Sequence, residues 1–169
     1  MPKTSDLAIV VAVVGSGVSG VVDLSTRRVP NGLTFGIATI GVAMAVLQVS
    51  HLTVASSLAG FVIGLLLMLP GHLIGGTGAG DVKLFAAIGT LLGPSGIAFA
   101  FLYTTIAGGA LALVVAVNRR RLHQTVAQAA ALVSTGGANV SQIESHLANN
   151  RFAYAPAIAL GTMAVALGL

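Results

Sequence analysis

Hydropathy divides this chain into six apolar stretches of roughly bilayer-crossing length, at about residues 6–24, 33–50, 52–71, 78–93, 95–117 and 152–169. Few architectures suit that pattern. Hydrophobic residues make up 56% of the chain and charged residues 7%, against about 25% charged in an ordinary soluble domain. Mean hydropathy is +0.98. There is too little polar surface to coat a water-soluble globule. The expectation is an all-α, polytopic membrane bundle of about six transmembrane helices. It forms a single domain over residues 1–169, with a polar segment at about 118–151.

The breaks between the stretches carry further information. Ser25 to Asn31 (STRRVPN) separates the first from the second, and Pro30 forbids a continuous helix there. Ser50-His51 is a short turn, residues 75–80 (GGTGAG) form a glycine loop, and Gly93-Pro94-Ser95-Gly96 is a tight turn. Arg27, Arg28, Lys83, Arg119, Arg120, Arg121 and Arg151 fall on one side of a six-span arrangement, and Lys3 alone on the other. Excess Lys and Arg mark the cytoplasmic side, so 25–31, 72–82 and 118–151 are expected in the cytoplasm and both termini outside. The first apolar run has one basic residue before it and no A-x-A-like site after it, so a retained helix is expected rather than a cleaved signal.

Within 118–151, Leu122, Val126, Ala129 and Val133 recur at helical spacing behind the arginine triplet. This suits either a short helix on the membrane surface or a solvated linker; Ser141 to Glu144 is a capping-box pattern. The net charge of +4 comes from a few residues at segment ends and does not point to nucleic acid. The absence of cysteine excludes a disulfide framework, a thiolate zinc site and a cysteine nucleophile. No histidine pair has ligand spacing, so neither a metal nor a cofactor is expected.

Of the four acidic residues, Asp6 lies near the N-terminus and Glu144 in the polar segment. Asp23 closes one apolar run and Asp81 opens another, on the same membrane face. An ionisable group at membrane depth costs several kcal/mol and is a functional candidate for that reason. Ser16, Gly20 and Asp23 are spaced to share one helix face, which turns Asp23 toward the bundle interior. Gly32 and Gly36, and Gly60 and Gly64, repeat a small-xxx-small pattern suited to close helix approach. From Asp81 to Leu92 is 12 residues, roughly 18 Å of helix against about 30 Å of hydrocarbon. Either that helix does not fully cross, or the crossing begins near 73–78 and the glycine loop is recessed among helices.

Gly78-Ala79-Gly80-Asp81-Val82-Lys83 reads G-x-G-D-x-K. Two glycines before an acid allow torsions closed to other residues and leave room for an extended peptide. The order is neither that of a phosphate loop nor that of a dinucleotide fingerprint. Two carboxyls held close together share a proton: one serves as general base toward water, and the other, protonated, polarises a scissile carbonyl. Lys83, two residues on, points elsewhere on a regular helix. It biases the local field, binds substrate backbone, or snorkels at the interface. His72 either lines the site or sits at the interface. His51 belongs on the far side, and His123 and His146 in the polar segment.

Asp23-x-x-x-Arg27-Arg28-Val29-Pro30-Asn31, followed by Gly78-Ala79-Gly80-Asp81-Val82-Lys83, resembles the type IV prepilin peptidases, polytopic aspartic peptidases of the GxGD type. The resemblance covers roughly residues 15–117. It implies an enzyme of the bacterial inner membrane that removes the short basic leader from prepilins or pseudopilins at the cytoplasmic face. Asp23 and Asp81 would be its catalytic pair, Gly78 and Gly80 would shape the loop, and Arg28, Pro30 and Asn31 would position the segment after Asp23. The implied partners are leader peptides, the lipid bilayer and a pilus assembly or secretion machinery. A short chain without cysteine is similar to the compact, peptidase-only type serving Flp or tight-adherence pili, in which N-methylation is not expected. Two other readings compete: a small ion- or proton-coupled transporter, and a non-catalytic pilus-assembly scaffold whose aspartates merely cap helices.

Overall fold

The computed structural model describes residues 6–26, 29–73, 76–118 and 154–169. Among these there are five helices and no strand: α1 (Asp6–Thr26), α2 (Asn31–Val46), α3 (Val54–Leu73), α4 (Ala79–Asn118) and α5 (Ala155–Ala166). The all-α class is as expected. Three helices are long and apolar enough to cross a membrane, over Leu7–Thr26, Val54–Leu73 and Ala79–Val114, while α2 and α5 are shorter apolar helices. The polar segment after Asn118, with His123 and His146, lies outside the described residues.

Helix α4 is two rods. Gly93 has φ 70° and ψ −178°, a backbone state open to glycine and strained for other residues. Pro94 then starts the second rod, where its missing N–H costs nothing. The Phe85 and Phe101 rings meet edge to face with centroids 6.1 Å apart. Along a straight helix that separation would be about 24 Å, so the chain doubles back at the turn expected from Gly93-Pro94.

The first rod, residues 79–92, is the centre of the molecule: Leu84, Phe85 and Ile88 are fully buried. Its neighbours turn small residues toward it and large ones away. On α1, Ala8, Ala12, Ser16 and Ser19 are buried while Val10, Val14, Val18 and Val21 are exposed. On α3, Ser57, Gly60, Gly64 and Met68 face inward while Leu58, Val62 and Leu66 face outward. Exposed apolar stripes of this kind make a protein aggregate in water. In lipid they are solvated, and helices associate through their small residues. The outward stripes are therefore what a membrane protein presents to acyl chains.

Gly60 and Gly89 bring α3 and α4 together backbone to backbone, since a Cβ on either would strike the other's carbonyl oxygen. A Cβ on Gly64 would lie 3.0 Å from the Phe85 carbonyl oxygen. This pair does what its spacing predicts. Gly32 and Gly36 do not, because nothing stands within 4 Å of where their Cβ atoms would be. They line an apolar cleft of about 400 Å³ between α1 and α2, with Val14, Val18 and Ile37 among its walls. Helix α2 approaches α4 through Gly41 instead, against Thr90.

Candidate active site

Asp23 stands near the C-terminal end of α1 on the face that carries Ser16 and Gly20, and it is 6% exposed. The inward orientation expected from the spacing is the one observed. Its Oδ2 is buried with no hydrogen-bond partner. Capping of its own helix cannot explain an acid here, because the C-terminal end of a helix dipole disfavours negative charge.

Asp81 is in the first turn of α4 and is 7% exposed. The Gly78 N–H donates to Asp81 Oδ2 at 3.1 Å. In return the Asp81 and Val82 N–H groups donate to the Gly78 carbonyl at 3.1 and 3.3 Å. This is the reciprocal arrangement in which the third helical residue reaches back to the capping amide. It fixes the carboxyl in one orientation and leaves Oδ1 buried without a partner. The charge of Asp23 acts on Asp81, so the two side chains are electrostatic neighbours although 58 residues separate them (81 − 23). Buried polar groups are almost always hydrogen-bonded. Among the described residues, two of the buried side-chain atoms without a partner are carboxyl oxygens from different helices; the others are the hydroxyls of Ser50, Thr77 and Thr104.

The described backbone amides of the glycine loop, residues 76–78, are bonded within the loop and its flanks, while the Thr77 hydroxyl is buried without a partner. The Gly76 and Thr77 N–H groups donate to the Gly71 carbonyl at 2.8 and 3.2 Å, and Gly78 donates to Asp81. His72 Nδ1 donates to the Thr77 carbonyl at 2.9 Å. His72 thus pins the loop. Gly76 and Gly78 are exposed and Thr77 is half-buried, so this part of the loop is not enclosed by the described helices as a recessed loop would be. The helix itself begins at Ala79, so residues 76–78 do not lengthen the rod.

Each motif glycine has a contact reason. A Cβ on Gly78 would stand 3.0 Å from Asp81 Oδ2, and one on Gly80 would stand 3.3 Å from Val29 Cβ. Gly80 thereby lets the segment after α1 lie against the start of α4. Pro30 caps α2 in extended conformation (φ −63°, ψ 135°), and its carbonyl accepts from Leu33 N–H at 3.1 Å. Lys83 Nζ donates to Asn31 Oδ1 at 3.2 Å on the exposed rim. The lysine and the asparagine of the two motifs are therefore bonded partners, which settles where Lys83 points. Arg28 lies outside the described residues.

One contributor was not legible in the sequence. The backbone amide of Ala155, at the start of α5, is directed at Asp23. Pro156 in the first turn of α5 is a signal for a helix start there, but nothing in the sequence says which acid that start would meet.

Residues 10–113, more than half of the chain, match the model of a family described as the type IV leader peptidase family. No curated protein and no solved structure matches the chain. Asp23 and Asp81 both lie inside the matched stretch, and α5 lies outside it.

Proposed function

Because the chain belongs to the type IV leader peptidase family, whose members are prepilin aspartic peptidases of the inner membrane, we propose that Asp23 and Asp81 are its catalytic dyad. They cut the basic leader from prepilins or pseudopilins at the cytoplasmic membrane face. The observation that carries this reading is the pair of buried, unpartnered carboxyl oxygens, Asp23 Oδ2 and Asp81 Oδ1, on neighbouring helix ends. The capping role of the scaffold reading accounts for Asp81 Oδ2, which accepts from Gly78. It leaves Asp81 Oδ1 and Asp23 Oδ2, both buried without a partner, unexplained.

In the proposed reaction the dyad holds one proton between its carboxyls. The ionised member takes a proton from a water as the water oxygen bonds to the scissile carbonyl carbon. The protonated member donates to the carbonyl oxygen as negative charge develops there. Collapse of the tetrahedral adduct breaks the C–N bond. The departing amine takes a proton from the dyad, and no covalent enzyme intermediate forms. Gly78 holds Asp81 in place for this sequence, and Gly80 keeps the Val29 segment close. We infer six spans, with the two rods of α4 and the shorter α2 and α5 counted beside α1 and α3, and the Lys and Arg distribution favours a cytoplasmic dyad end.

The test is the size shift of a prepilin co-expressed with the wild-type chain and with Asp23→Asn and Asp81→Asn. Processing that survives in either variant refutes the dyad. A smaller effect belongs to the rim. Asn31→Ala and Lys83→Met are each expected to lower cleavage about three- to tenfold, the scale of one ordinary net hydrogen bond of about 1 kcal/mol at this exposed rim. The double variant should be no worse than the weaker single, because both remove the same bond. Gly78→Ala is expected to lower kcat about tenfold with little change in thermal midpoint, since its methyl crowds the Asp81 carboxyl rather than the core.

A further inference from the structure

The matched stretch ends at residue 113, yet α5 packs against both helices that carry the proposed dyad. Tyr154, the residue before α5, is half-buried and packs against the main core cluster. Its ring fills the space left by buried Gly108 on the second rod of α4. A Cβ there would stand 2.8 Å from Tyr154 Cε2 and 3.0 Å from its hydroxyl oxygen. The next residue, Ala155, is fully buried and turns its amide to Asp23.

Few other amides could do this. The first amides of a helix have no partner inside the helix. In α5, Pro156 has no N–H, and the Ala157 and Ile158 N–H groups donate to the Tyr154 carbonyl at 2.9 and 3.2 Å. Ala155 is the amide left over, at the helix end that favours negative charge. Beside it, Gly20 of α1 lets the backbone of α5 close in; a Cβ there would stand 3.4 Å from Pro156 Cα. Farther along, Gly161 packs on Thr104 of α4. Asp81 in turn acts electrostatically on Tyr154. The start of α5 is thus wedged between the helix that carries Asp23 and the second rod of the helix that carries Asp81.

We propose that Tyr154 is a positioning residue of the peptidase: its ring, seated on Gly108, sets where α5 begins and so holds the Ala155–Pro156 backbone on Gly20, one turn of α1 from Asp23. This rests on the dyad reading above. Removal of the ring lets the start of α5 shift, and misplacement by about 1 Å at a catalytic group costs up to about a hundredfold in rate.

The experiment measures leader removal from a purified prepilin by the full chain in detergent. Tyr154→Ala is expected to lower kcat about tenfold or more with KM changed by less than about twofold, a split that lost substrate binding would not produce. Tyr154→Phe, which keeps the ring, should retain kcat within about threefold. Gly108→Ala should also lower kcat, and combined with Tyr154→Ala it should add nothing further, since both act through one contact. The proposal is overturned by wild-type kcat in Tyr154→Ala, by equal losses in the Ala and Phe variants, or by additive losses in the double variant. If Tyr154→Ala does not accumulate, Gly108→Ala decides alone, and wild-type kcat in it refutes the seating. Normal cleavage by Asp23→Asn or Asp81→Asn would instead remove the dyad itself. Inactive aspartate variants beside an unimpaired Tyr154→Ala would remove only the role of α5.

Discussion

Asp23→Asn and Asp81→Asn are each expected to reduce leader cleavage about a thousandfold or more, the scale set by loss of a positioned acid or base, while the protein still accumulates in the membrane. The contrast between activity and stability is the informative part. Asparagine has nearly the shape of aspartate, and at position 81 its carbonyl oxygen can still accept from the Gly78 N–H. What disappears is the ability to hold and pass a proton. Each aspartate also carries a buried oxygen with no partner, and burial of a carboxylate without partners is unfavourable. Neutral asparagine relieves that cost, so the thermal midpoint in detergent should stay level or rise. Sites that trade stability for activity behave in this way. If the aspartates were only caps, Asp81→Asn would keep both stability and cleavage, because its amide oxygen still caps Gly78, and only Asp81→Ala would lose stability. The double variant should be about as inactive as either single one, because the two groups act as a unit.

The second large effect is on the fold. Gly89→Val is expected to prevent recovery of a folded, monodisperse protein, and Gly60→Val to do the same. A side chain on either residue would meet the other's backbone, which cannot rotate away as a flexible side chain can. Overpacking of a core by added methylenes costs about 1–3 kcal/mol and sometimes more. Here the clash also separates α3 from the central rod along the seam that includes the Ser57 hydroxyl, which donates to the Thr90 carbonyl at 2.8 Å. Gly32→Ala and Gly36→Ala are the controls, with open space around both positions. They should change stability by less than about 1 kcal/mol, in the direction set by the better helix propensity of alanine. Size-exclusion profiles after graded heating in detergent would read all four. Equal damage from the two glycine pairs would contradict the packing described.

Those two pairs also mark how far residue spacing carries. Gly32-Gly36 and Gly60-Gly64 look alike in the sequence, yet one lines a cleft and the other a seam. Small residues permit close approach without requiring it, and the neighbour decides. Lys83 is a similar case. Spacing from Asp81 indicates only that the lysine leaves the dyad, whereas the structure gives it Asn31, 52 residues away. The turn at Gly93-Pro94 was legible because a positive φ and a ring-locked residue act locally. The amide of Ala155 was not, because any helix start offers such an amide.

Apolar run length and scarcity of charge are properties of each stretch taken alone, and they suffice for an all-α membrane protein with its few acids in exceptional places. The G-x-G-D-x-K loop is equally local, since glycine torsions and the Gly78–Asp81 cap act within four residues. Which helix faces which is a different kind of quantity. It depends on shape matching between surfaces that are all apolar and nearly equivalent to lipid, so hydropathy cannot rank the possible pairings. Only the packed bundle could bring Asp23, Asp81 and the start of α5 to one end, through backbone contacts at Gly20, Gly60, Gly89 and Gly161 that no pattern of hydrophobicity encodes.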